Sequence, residues 1–332
     1  MAGGLILLTG GTGHVGYRAL VEALSRGYHV RASVRSEAKI AQIKAAASIQ
    51  PYLAQLSFVV VPDIEKDGAF DEALKGVDFV VHIASPLGHP SEDLEAHVVN
   101  PAIRGTLGIL HSALKQPSIQ RIVITSSVVA VLPSELREFT VDNVEPDPQG
   151  PYSDSFAAYG AGKRLAFNRT RDFIAKEKPH FTVVNILPSF VIGKNELATT
   201  PESVRSGSNG VPMIPLMGGH NPVGVPAAVC HVDDVAFVHI ASLDSRVEGN
   251  RNFGINYRGD KPVEWDDAID IVKKHFPEEV KKGVFPLGGS LKSLPMPFDA
   301  SETEKVFNFK FKSYEEQIVS LAGHYAEVVA RA

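Results

Sequence analysis

A tyrosine followed four residues later by a lysine, in Tyr159-Gly160-Ala161-Gly162-Lys163, lies near the middle of the chain. On a helix the phenol and the ammonium share one face, a turn apart. Such a pair can move a proton to or from a carbonyl oxygen. A nearby cation favours the phenolate and draws a phenol with an ordinary pKa of about 10 toward the working range. Positioned acid–base groups typically contribute about 10²–10⁴-fold to a rate. Hydroxyls that could steady the same oxygen precede the pair in Ile122-Val123-Ile124-Thr125-Ser126-Ser127. Alone, the spacing is common, strand-end Ser and Thr are ordinary turn formers, and Gly160 and Gly162 lower helix propensity unless close packing favours them. Order gives the pattern its weight: Gly10-x-x-Gly13-x-x-Gly16 lies upstream and the hydroxyl run lies between.

Leu5-Ile6-Leu7-Leu8-Thr9-Gly10-Gly11-Thr12-Gly13-His14-Val15-Gly16 reads as an apolar strand, a tight glycine turn and the start of a helix. Glycines there allow positive φ and let the backbone approach a pyrophosphate resting on the helix N-terminus. A site for NAD normally carries Asp or Glu about 20 residues past the glycines, to bind the ribose 2′-hydroxyl. Here the second strand ends Val30-Arg31-Ala32-Ser33-Val34-Arg35-Ser36, with no carboxylate before Glu37. Arg35, with Lys39 four residues on, suits a 2′-phosphate, so the expected cofactor is NADPH. Asp63 after the third strand is a candidate acceptor for the adenine amine, with Ile64 packing on the ring. Ala84-Ser85-Pro86 puts small residues where a cofactor backbone must pass, while His82 reads as a core residue.

Apolar runs at 5–8, 28–34, 56–61, 79–83 and 121–125 predict strands, with helices over 16–26 and 67–74; 181–187 and 251–256 add two strand candidates. Runs without polar alternation imply strands covered on both faces, and strand–helix alternation implies a doubly wound parallel α/β sheet of the Rossmann type. After Pro188 the texture changes to Gly- and Pro-rich loops. The expected plan is a cofactor domain over 1–187, with 226–258 returning to it, and a smaller interleaved C-terminal lobe for substrate over 188–225 and 259–332. Capping boxes are expected at Ser301-Glu302-Thr303-Glu304 and Ser313-Tyr314-Glu315-Glu316.

The 332 residues are 44% hydrophobic and 21% charged, with a formal net charge of −5. Nothing in that balance marks a nucleic-acid or anionic-membrane partner. The single cysteine, Cys230, excludes an intrachain disulfide and a thiolate metal cage. The N-terminus lacks a basic n-region and no uncharged stretch approaches the roughly 18 residues needed to span a bilayer. The expectation is a soluble cytoplasmic protein, monomer or homodimer, acting on a small-molecule carbonyl compound without a metal.

At the glycine turn, the second-strand end, Ala84-Ser85-Pro86, Thr125-Ser126-Ser127, Tyr159 to Lys163 and Leu187-Pro188-Ser189-Phe190-Val191-Ile192-Gly193, the chain resembles the extended short-chain dehydrogenase/reductase family. It is most similar to the dihydroflavonol-reductase and cinnamoyl-CoA-reductase branch and the fungal and yeast aldehyde/ketone reductases. The resemblance spans almost the whole chain. It implies hydride transfer from nicotinamide to a carbonyl, with Ser127, rather than Ser126, Tyr159 and Lys163 catalytic. It also implies cofactor contacts from Gly10, Thr12, Gly13, His14, Val15, Gly16 and Thr125, and from Pro188 and Val191 at the nicotinamide amide. Ser203 is the expected pyrophosphate serine, with Ser206 and Ser208 competing; the Asn that is a fourth catalytic residue in related enzymes has no secure counterpart, and Asn100 is only a candidate. Apolar residues such as Val128, Leu87, Phe156, Phe190 and Met213 would wall a pocket for hydrophobic carbonyl compounds. A nucleotide-sugar epimerase or dehydratase using NAD, and a non-enzymatic dinucleotide sensor, are the alternatives.

Overall fold

A computed structural model describes residues 3–85 and 93–331. Pro86 and Leu87 lie outside the described residues. In chain order come β1 (Leu5–Thr9), α1 (His14–Ser25), β2 (His29–Val34), α2 (Glu37–Ala45), β3 (Leu56–Val60) and β4 (Phe79–His82). Then follow α3 (Asn100–Leu114), β5 (Arg121–Thr125), α4 (Ser155–Glu177), β6 (Thr182–Pro188) and β7 (Phe190–Ile192). The rest includes α5 (Pro201–Val204), α6 (Gly210–Leu216), β8 (His220–Pro226), β9 (Val229–His231), α7 (Val232–Ala241), β10 (Asn252–Ile255) and β11 (Ser290–Leu294).

Seven strands form one sheet in the order β10-β6-β5-β4-β1-β2-β3. β1 pairs in parallel with both β2 and β4, and the parallel pairing continues from β2 to β3 and from β4 through β5 to β6. The sheet therefore grows one way from β1 and then resumes on its other side. That reversal opens a crevice at the carboxyl ends of β1 and β4. Ile6, Leu7 and Leu8 are fully buried, as strands covered on both faces must be. This is the doubly wound α/β sheet that the alternation of apolar runs implied. Among the described residues no helix is long and apolar enough to cross a membrane.

The chain divides into two compact units. One holds the chain up to Glu135, Val141–Leu187 and Ala236–Phe253; the other holds Leu136–Thr140, Pro188–Val235 and the chain from Gly254 onward. In the second unit two parallel pairs, β7 with β9 and β8 with β11, flank a core around Trp265, Phe285, Ile318 and Leu321. Trp265 donates from Nε1 to Val225 O at 3.0 Å and accepts at its own carbonyl from Tyr314 at 3.2 Å, so burying these polar groups leaves them paired.

Two local expectations fail for identifiable reasons. Residues 67–74 form successive turns, not a helix: Asp71 N–H bonds Gly68 O at 3.0 Å, and Gly68 sits at φ +71°. A left-handed residue cannot continue a right-handed helix. The helix Ser301–Phe307 does form, but one residue earlier than a box at Ser301 would require. Ala300 is its N-cap, and Asp299 Oδ1 takes the Ser301 N–H at 2.9 Å. The box at Ser313 and Glu316 forms in both directions.

In the first unit the segment returning through α7 is fastened by Arg121. Its guanidinium, 7% exposed, donates to Ser242 O (2.7 Å), Asp244 O (2.8 Å), Val247 O (2.8 Å) and Thr182 Oγ1 (3.0 Å). A planar donor fork gathers carbonyls just past the end of α7, of which Asp244 O also accepts from Val247 N–H at 3.0 Å. Arg121→Met should remove the guanidinium's hydrogen bonds and lower unfolding free energy by about 3 kcal/mol. Urea denaturation measures this, and a loss under about 0.5 kcal/mol, the range of ordinary surface substitutions, would contradict it.

Candidate active site

The glycine turn connects β1 to α1 at the switch point. Gly10 has φ +79°, and a Cβ there would lie 2.7 Å from Ala84 N. A Cβ on Gly16 would lie 2.0 Å from Gly10 O, so the helix can pack onto the turn only with glycine at that position. Gly13 is the N-cap and brings no side chain to the first turn of α1. A bare helix N-terminus beside a turn stripped of side chains fits the pyrophosphate of a dinucleotide. Thr12, His14 and Val15 sit on this same turn and first helical residues.

Thr9 locks β4 to the turn. Its Oγ1 accepts N–H bonds from Ile83 (3.1 Å) and Ala84 (3.0 Å), so its own proton goes to His82 Nδ1 at 3.0 Å. Burial, then the charge of Lys163, pushes the His82 pKa down to about 3. His82 is a neutral core residue, as its sequence position suggested.

The hydroxyl run and the Tyr–Lys pair come together in this unit. Asp154 starts α4, accepting at Oδ1 from the N–H groups of Phe156 and Ala157, each at 2.9 Å. Tyr159 and Lys163 follow on one face, with Lys163 Nζ 5.8 Å from the Tyr159 ring centroid. The Tyr159 hydroxyl is hydrogen-bonded to Ser127. Ser127, 7% exposed, holds the start of the turn Val128–Ala130 by accepting from Val129 N–H at 3.5 Å. Lys163, 8% exposed, donates to Ser85 Oγ and to Thr125 O, both at 3.3 Å. Gly162 faces α3: a Cβ there would come within 3.2 Å of Ala102 Cβ and 3.3 Å of Val99 Cα. Gly160 has open space around it, so close packing explains only one of the two glycines.

Electrostatics departs from the expectation. Burial raises the Tyr159 pKa, and the Ser127 hydrogen bond only partly offsets this. The same burial lowers Lys163 to about 8. The dominant effect on the phenol is loss of water, not the neighbouring cation, so the resting tyrosine is a protonated acid.

One buried partner escaped the sequence reading. His239 on α7, fully buried, shares a 2.7 Å hydrogen bond from Nε2 with Thr125 Oγ1. The available signal was a lone histidine within the apolar run Val235 to Ser242.

The remaining sequence candidates are spread more widely. Arg35 follows β2 directly and is exposed, as is Lys39, whose Nζ donates to Gln42 Oε1 at 3.1 Å. Asp63 Oδ1 accepts from Glu65 N–H at 2.9 Å, and Ile64 packs against the cluster containing Leu7 and Phe70. Asn100 opens α3. In the second unit, Pro188 ends β6 and Val191 lies in β7, with Val191 O accepting from Ser208 Oγ at 2.5 Å. Ser203 lies in a capping box. Its hydroxyl donates to Thr200 O (2.8 Å) and accepts from Thr200 N (3.0 Å) and Thr200 Oγ1 (3.2 Å). In this structure its proton and both lone pairs are used within that box. Ser206 Oγ likewise donates to Ser203 O at 2.7 Å.

The model of the NAD dependent epimerase/dehydratase family matches residues 6–256, from β1 through β10. The chain belongs to this family. Within the epimerase/dehydratase family it is 36% identical to a ketoreductase of Cercospora nicotianae over 99% of this chain and 96% of that one. It is 30% identical to aldehyde reductase 2 of Sporidiobolus salmonicolor over 97% of this chain and 96% of that protein. The fold matches that of the yeast methylglyoxal/isovaleraldehyde reductase crystallised with NADPH, at a TM-score of 0.82 and 24% identity, covering 99% of this chain and all of the other. Recognition as an extended short-chain dehydrogenase/reductase related to fungal ketoreductases therefore holds.

Because burial lowers its pKa, the Lys163 amine should titrate near pH 8 in the protein alone, against about 10.4 for an exposed lysine. NMR of the labelled side chain, assigned with Lys163→Met, reads this directly. A midpoint above 10 would show that water reaches the ammonium.

Proposed function

We propose that the protein reduces hydrophobic aldehydes or ketones to alcohols with NADPH. The observation that carries this reading is the Ser127–Tyr159 hydrogen bond beside the buried Lys163 ammonium, on the sheet edge that also carries the glycine cradle. Two relatives that align over nearly the whole chain bear the names ketoreductase and aldehyde reductase, which supports reduction over sugar epimerisation.

Bound NADPH supplies the hydride that the carbonyl carbon accepts. Tyr159 gives its phenolic proton to the carbonyl oxygen, and its raised pKa keeps that proton in place at neutral pH. Ser127 donates to the same oxygen and steadies the charge that develops there. Lys163 holds a positive charge next to the resulting phenolate and stabilises it until it is reprotonated. The backbone of the glycine turn and the α1 N-terminus bind the pyrophosphate, and Arg35 with Lys39 pairs with the 2′-phosphate. Pro188 and Val191 at the nicotinamide amide remain part of the proposal. So does cytoplasmic location, which a single buried cysteine supports.

Tyr159→Phe should leave the dissociation constant for NADPH within about twofold while lowering kcat for a ketone by about 10²–10⁴-fold. Fluorescence titration and steady-state kinetics separate the two, and an unchanged kcat would remove Tyr159 from the mechanism. Arg35→Ala should weaken NADPH by about tenfold or more and NADH much less, because only NADPH carries the 2′-phosphate. Equal losses for both cofactors would overturn the choice of NADPH.

A further inference from the structure

We propose that Phe156 selects the substrate, favouring ketones that carry a flat aromatic or conjugated group. This rests on the reductase reading above and names the substrate class for the same site. Phe156 lies on the first turn of α4, three residues before Tyr159, so the two side chains share a helix face. Their ring centroids are 6.3 Å apart and their planes differ by only 29°. Phe156 is nevertheless 56% exposed, whereas Phe167 and Phe173 further along the same helix are 4% and 5% exposed.

A single exposed apolar residue needs no explanation in itself, and Val223 is more exposed still. Phe156 differs in position: its ring lies beside the proton donor, nearly parallel to it, with a face open to solvent. The helix turn that carries it is fixed, because the Asp154 carboxylate holds the Phe156 N–H at 2.9 Å. The nearest charge is the Asp154 carboxylate, which is turned to the backbone N–H groups of Phe156 and Ala157.

A ketone whose oxygen meets Tyr159 would have Phe156 one helical turn away, within reach of one of its two substituents. Aromatic groups prefer offset stacking with centroids about 4.5–7 Å apart, the spacing that the Tyr159–Phe156 pair already shows. A planar aryl or conjugated substituent extends this arrangement, burying one face on Phe156 at little entropic cost. A short alkyl chain covers only part of the ring and gains correspondingly less.

The test compares 2-acetonaphthone with 2-butanone in NADPH-dependent reduction by the wild-type chain, Phe156→Ala and Phe156→Leu. The ratio of kcat/KM for the aryl ketone to that for the alkyl ketone should fall about tenfold in Phe156→Ala. It should also fall in Phe156→Leu, which keeps apolar bulk without the ring. Calorimetric binding of 2-acetonaphthone to the NADP⁺-loaded protein should weaken in parallel, giving a readout independent of turnover. If both ketones are reduced and neither the ratio nor the binding moves in either variant, Phe156 is merely exposed and the inference fails while the reductase reading stands. If neither ketone is turned over yet naphthone binding weakens as stated, the reductase reading fails while the recognition surface stands. Should Phe156→Ala not fold, Phe156→Leu decides alone.

Discussion

Lys163 keeps a cation at the carboxyl ends of β4 and β5, 8% exposed, with Ser85 Oγ and Thr125 O each 3.3 Å away. Removing an ammonium from water costs several kcal/mol unless fixed dipoles replace the lost hydration. Much of the first unit is organised to supply those dipoles. Thr125 is pinned by its hydroxyl to the fully buried His239, so the carbonyl facing Lys163 comes from an anchored residue. The β4 end is pinned by Thr9, which holds the N–H groups of Ile83 and Ala84, one residue before Ser85. The compensation is incomplete, and the amine falls to about 8. At pH 7 such a group is still protonated in about nine molecules of ten, so the charge survives where it is useful.

The same exclusion of water acts in the opposite sense on the phenol. An anion is penalised as a cation is, so Tyr159 holds its proton more tightly than a free tyrosine. Burial thus produces an acid and a weakened ammonium side by side. The two are matched: the phenolate, costly by itself in this setting, forms beside a charge that has few other partners. The hydrogen bond from Ser127 adds a third polar group aimed at one small volume. Preorganised dipoles of this kind need no rearrangement when charge develops.

Local chemistry in the sequence was readable because it depends on short-range geometry. The glycine turn, the i, i+4 spacing of Tyr159 and Lys163, and the box at Ser313 are each fixed by a few neighbouring residues. So were the strands, whose apolar runs reflect coverage on two faces. What sequence could not supply was competition between neighbours. The Ser203 hydroxyl, for example, is engaged by Thr200 within one turn of chain. Residues 67–74 had helical composition, yet Gly68 in a left-handed conformation divides them into turns. Ser301 is the first helical residue and not the cap: Ala300 holds that position, and Asp299 Oδ1 takes the Ser301 N–H. Arg121 and His239 were invisible for a different reason, since the carbonyls that Arg121 clasps and the Thr125 hydroxyl that His239 meets lie more than 100 residues away in the chain.

The first unit is interrupted twice along the chain, and its last part runs from Ala236 to Phe253. β10 completes the sheet on the outer side of β6, and Arg121 clasps the carbonyls of Ser242, Asp244 and Val247. During synthesis, therefore, the strands through β6 emerge long before the edge strand that covers them. For the time taken to translate the intervening residues, β6 presents an open row of backbone donors and acceptors, and the Arg121 guanidinium waits without its carbonyls. Strand edges in that condition pair readily with other chains. The edge of β6 thus acquires its cover only after the whole stretch of chain between β6 and β10 has been made.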